Sequence, residues 1–81
     1  MNIIDLYVNN LRKEDISLFA QKNDINLNDN ELDFTYNFIK NNYKEAIKNK
    51  DTFNLSAYKD KYSEENFVKI EKLLTKYINY L

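Results

Sequence analysis

The stretch that decides the fold is NDNELDFTYNFIKNNYKEAIK, residues 28–48. Asn28 followed by Glu31 fits a capping box, in which each side chain accepts a hydrogen bond from a backbone N–H that a first helical turn leaves free. Asp29, Glu31 and Asp33 stand at the positive end of the resulting dipole, and Lys44 and Lys48 at the negative end. The spacing predicts a long helix over about 29–48. Leu32, Tyr36, Ile39, Tyr43, Ala46 and Ile47 fall within about 100° of one another on it, an ordinary core stripe. Phe34 and Phe38 project from the opposite side. A helix apolar on two faces is either sandwiched between neighbours or exposes those two rings.

Upstream, Asn2 can cap a helix over 2–11 whose stripe is Ile3, Ile4, Tyr7, Val8 and Leu11. A second helix, about 13–22, carries Ile16, Phe19 and Ala20 and begins after Arg12, a poor cap. Asn23 and Asp24 end it, and Ile25 and Leu27 turn inward from the connector. Downstream, 49–51 make a break, and Phe53, Leu55, Tyr58 and Tyr62 form a short fourth helix or helical turn. Ser63 then caps a helix over about 64–80, with Glu64 and Glu65 in its first turn. Phe67, Ile70, Leu74, Tyr77, Ile78 and Leu81 form its stripe, widened by Leu73 and Tyr80. Residues 1–81 thus read as one all-α domain, a compact bundle of four or five helices in which the C-terminal helix packs across the long central one.

The composition excludes more functions than it suggests. Among 81 residues there is no Gly, Pro, Cys, His or Trp, which removes the usual phosphate-cradling loop, the thiol nucleophile, the ordinary zinc site and the neutral-pH proton shuttle. Turns must then be made by Asn and Asp, which tolerate left-handed backbone and cap helices. Asp24, Asn26 and Asn28 mimic the start of a calcium loop. The loop's sixth position needs Gly and has Asp29, and its twelfth needs Glu and has Thr35. Metal and cofactor sites are therefore not expected. Nor is catalysis: paired first-turn carboxylates complement the dipole, and Ser17, Ser56 and Ser63 have no histidine to activate them.

Net charge is −1, with seven acids against four bases in residues 1–40 and six against eight in 41–81. Hydrophobic residues make up 43% and aromatics 15%, enough for a small core despite a mean hydropathy of −0.73. No apolar run approaches the ~20 residues of a membrane span, and no secretory leader follows Met1, so the expected location is the cytoplasm. A non-enzymatic protein-interaction module or homodimer is the leading expectation, with Phe34, Phe38 and Tyr80 as ring anchors for a partner groove. The alternative is weak nucleic-acid binding, through Lys69, Lys72 and Lys76 of the last helix or a helix-turn-helix-like unit made by 13–22 and 29–48. Acids at 29, 31 and 33 argue against the second form. A small inhibitor encoded by a mobile element is compatible with the size.

The order of elements also carries a resemblance. Leu11 with Glu14 and Asp15, then Ile16, Phe19 and Ala20, then Ile25, Leu27 and a polar cap before a long helix, is similar to a small helical domain family of unknown function from low-GC bacteria. The break at 48–51, Phe53, Ile70 and Leu74 continue the similarity over nearly the whole chain. It implies an all-helical cytosolic protein and supplies no active-site residue. Where that family tends to place a Thr or Ser cap, this chain has Arg12.

Overall fold

The computed structural model describes residues 2–78, with Ile78 by its backbone alone. The described residues form α1 (Ile3–Asn9), α2 (Lys13–Lys22), α3 (Asp29–Lys48), a 3-10 helix (Leu55–Lys61) and α4 (Glu64–Ile78). The fold is all-α, and α3 runs over the segment that the capping box predicts. Asn28 Oδ1 accepts from the Glu31 N–H at 2.8 Å and Glu31 Oε1 accepts from the Asn28 N–H at 2.9 Å. Asn2 caps α1 through the Asp5 N–H at 2.8 Å, and Ser63 Oγ caps α4 through the Asn66 N–H at 3.1 Å.

Arg12 has no side-chain acceptor to offer, yet α2 starts beside it at Lys13. The Asp15 carboxylate explains this by reaching back to accept the Arg12 N–H at 2.9 Å, while the Arg12 guanidinium lies 3.5 Å away. One half of a capping box, reinforced by an ion pair, is enough to fix this start. These hydrogen bonds hold the Asp15 carboxyl below its ordinary pKa.

At the C-terminal ends the chain departs from expectation. Asn10, Asn23 and Asn49 each donate a side-chain amide N–H to the carbonyl four residues back, on Leu6, Phe19 and Glu45, at 2.9, 2.9 and 3.1 Å. Their φ angles are −98°, −106° and −109°. Helix ends normally leave carbonyls free for a left-handed glycine cap to satisfy. Here an asparagine amide does that work without crossing to positive φ. Asp24, at φ 62°, is the one described residue that does cross.

Among the described residues the buried apolar ones are Val8, Leu11, Ile16, Ala20, Ile25 and Phe67. α3 lies centrally, against α1, α2 and the 3-10 helix, and α4 meets the 3-10 helix. The stripe predicted for α3 is half-buried rather than buried, and Ile47 is exposed. The cause is spacing: among the described residues no α-carbon of α4 comes within 8 Å of one in α3. Two apolar cavities of about 260 and 290 Å³ occupy that gap, with Thr35, Ile39, Ile70 and Leu74 common to both.

α1 also differs from the sequence reading. Val8 and Leu11 enter the core, whereas Ile3, Ile4 and Tyr7 stay exposed. The helix is held to α3 by polar contacts instead. Lys40 Nζ donates to the Val8 and Asn9 carbonyls at 2.7 and 3.1 Å, placing a cation at the negative end of a helix with no basic residue in its own last turn. Tyr43 donates its hydroxyl to the Asp5 carboxylate, which raises the tyrosine pKa.

Candidate functional site

Phe34 and Phe38 lie on the α3 face that the 3-10 segment covers. Phe34 meets Tyr62 edge-on at 5.7 Å, and Phe38 meets Tyr58 edge-on at 5.0 Å and Phe53 at 5.9 Å. Such tilted pairs, with centroids within about 7 Å, add to the stabilisation from burial. Both rings are half-buried, so residues 53–62 of the same chain supply one side of the sandwich that two-faced α3 requires. Tyr80, the third proposed anchor, lies outside the described residues.

The connection between α3 and α4 is Glu31, 2% exposed. Its Oε1 accepts from Asn28 N–H and from Asn66 Nδ2, each at 2.9 Å, and its Oε2 accepts from Ser63 N–H at 2.7 Å. One carboxylate thus closes the first turn of α3 and also satisfies the N-cap residue of α4. Asn66, likewise buried, gives a second amide bond to the Asn26 carbonyl at 2.9 Å. Thr35 extends the polar group through its hydroxyl, 2.7 Å from the Tyr62 hydroxyl. Burial by itself would raise the Glu31 pKa. The bonds from Asn28, Ser63 and Asn66 outweigh it and hold the carboxyl below its ordinary value. This carboxylate is charged and fully engaged, the opposite of a group poised to donate a proton.

The other sequence candidates are dispersed. Lys69 Nζ is committed to the Asp24 carbonyl at 2.9 Å and to the Asp24 and Glu65 carboxylates at 3.5 and 3.3 Å. Lys72 and Lys76 stand exposed on α4, and among the described residues neither has an ion-pair partner. Of the calcium-like residues, Asp24 faces Lys69, and Asn28 Oδ1 is occupied by the Glu31 N–H. Among the described residues no group of three or more Asp or Glu could hold a metal ion.

The surface that sequence reasoning missed lies between α1 and α2. Ile3 is 85% exposed, Leu6 56%, Tyr7 65%, Leu18 57% and Phe19 45%. They line a groove of about 620 Å³ whose floor includes Leu11 and whose rim carries Asn10, Asp15 and Lys22. Tyr77 of α4, also exposed, extends the apolar surface through a ring contact with Phe19 at 6.0 Å. Single exposed apolar residues need no explanation, but a contiguous cluster of five is more than the scattered exposure of an ordinary surface. The signal was present in the sequence. Ile3, Ile4, Leu6, Tyr7 and Val8 crowd one seven-residue helix and cannot all share one face, so α1, like α3, had to be apolar on two sides.

Among the described residues no helix is long and apolar enough to cross a membrane. Comparison of the chain with protein-family models, with curated proteins and with solved structures finds no match.

Proposed function

We propose that the protein is a non-enzymatic, cytoplasmic protein-interaction module whose docking face is the apolar groove of α1 and α2. One observation carries this reading: five large apolar side chains, each more than 40% exposed, line one groove. Water against that much contiguous apolar surface is unfavourable by roughly 25 cal/mol per Å², and a partner that covers it recovers the difference. The side chains are of the type that anchors interfaces, a tyrosine and a phenylalanine flanked by aliphatic residues. The full engagement of Glu31 agrees with a non-catalytic role. The interaction function is the one expected from the sequence, moved from the Phe34 and Phe38 face of α3 to the groove of α1 and α2.

Leu18→Glu tests the proposal, because the side chain is 57% exposed and its replacement leaves the monomer's packing intact. The expected result is loss of association, with itself or with a captured protein, at unchanged helicity and melting temperature. Equal association by both proteins contradicts the reading.

A further inference from the structure

We infer that the occupant of the groove is a second copy of this chain, docked across a two-fold axis that passes between Leu18 and Phe19 of α2, so that the two α2 helices run antiparallel. The inference rests on the interaction reading above and names its partner.

The first support is register. Asp15, Leu18, Phe19 and Lys22 occupy one face of α2 at the spacing i, i+3, i+4, i+7 and all line the groove. Asp15 stands three positions before Leu18, and Lys22 three positions after Phe19. A two-fold axis at the centre of that set brings Leu18 and Phe19 onto their own copies and sets Asp15 of each chain opposite Lys22 of the other, twice. An isologous interface requires this self-complementarity. Within the described residues Lys22 has no ion-pair partner, and the Asp15 side chain keeps 36% of its exposure beside Arg12. Lys22 thus stands unpaired at the rim, and Asp15, although engaged by Arg12, remains open on one side to a second cation. α1 has the same arrangement, with Ile3, Leu6, Tyr7 and Asn10 along its groove face.

The second support is area. A folded monomer of 9.8 kDa is expected to expose about 5200 Å², whereas this chain exposes 6133 Å². The surplus of roughly 900 Å² belongs to the chain as a whole, and the five groove side chains, 45–85% exposed, supply part of it, against the ~800 Å² that each partner contributes to an interface of standard size. Pairing of two such grooves, each walled by α1 and α2, makes a contact whose centre is apolar and whose rim is charged, the usual distribution in stable interfaces.

The chain has no cysteine, so a single introduced one reports on the axis alone. In the proposed geometry two Leu18→Cys chains present their sulfurs with an offset of about 1.5 Å along the helices, within disulfide reach. Two Lys22→Cys chains are offset by about 10 Å, beyond it. Mild oxidation should convert Leu18→Cys to a covalent dimer at least tenfold faster than Lys22→Cys or an exposed control, Glu71→Cys. Lys22→Glu should weaken the dimer about tenfold at low salt, with the loss diminishing as salt rises. Equal cross-linking at all three positions overturns the two-fold geometry. A wild-type chain that sediments as a monomer at millimolar concentration overturns the second copy as occupant. If such a monomer still captures another protein through a Leu18-dependent contact, the interaction reading survives; if it captures none, both fail.

Discussion

The Phe34–Phe38 face of α3 and the Leu18–Phe19 face of α2 start from the same chemistry and meet opposite fates. Each is a second apolar face on a helix already packed elsewhere. Residues 53–62 return over the first and insert Phe53, Tyr58 and Tyr62. Over the second, Tyr77 touches only one edge, and Phe19 and Leu18 remain 45% and 57% exposed. A two-faced helix therefore marks a demand for cover without saying whether the same chain meets it. The aromatic side is satisfied internally and contributes stability. The α1–α2 side stays exposed to solvent.

The largest effect expected on the internally satisfied side is at Glu31. Glu31→Ala leaves the Ser63 N–H and Asn66 amide donors without their acceptor in a buried site, at a cost of about 3 kcal/mol. For a domain of this size that lowers Tm by roughly 15 °C, as thermal melts followed by circular dichroism will show. The effect depends on pH with a defined sign. The folded Glu31 pKa lies below its ordinary value of 4.5, so its contribution is complete above about pH 5 and is lost as pH falls through the folded value. Urea unfolding from pH 7 to pH 3 should show wild type and Glu31→Gln converging at the acid end. A constant gap across that range contradicts the assignment of Glu31 as a charged clamp.

A smaller effect sharpens the comparison directly. Phe38→Ala should cost about 2 kcal/mol, less than a fully buried phenylalanine because the ring is half-buried. It should leave association untouched. Leu18→Glu should do the reverse, and exchange of these two outcomes would assign the interface to α3 and the core to α2.

The sequence made α3 legible because its signals are local. Asn28 and Glu31 lie within one turn, and so do Asn2 with Asp5 and Ser63 with Asn66. The second use of Glu31 was not legible, since Ser63 and Asn66 lie 32 and 35 residues away along the chain, and nothing in a capping box discloses which distant donor its second oxygen will meet. The start of α2 looked unfavourable at Arg12 because the compensation comes from Asp15, in the reverse direction. The exposed groove was half-legible. Crowding of apolar residues in α1 gave the excess, but its direction depended on α4, whose Tyr77 ring meets Phe19 at the groove's edge.

Hydrogen exchange followed as a function of protein concentration tests the central claim most directly, since it reads both faces in one experiment. Self-association through the groove predicts that amides of residues 3–22 gain protection as concentration rises from micromolar to millimolar, while those of 34–62 stay constant. Concentration-dependent protection confined to 34–62, or none in either region, would contradict it.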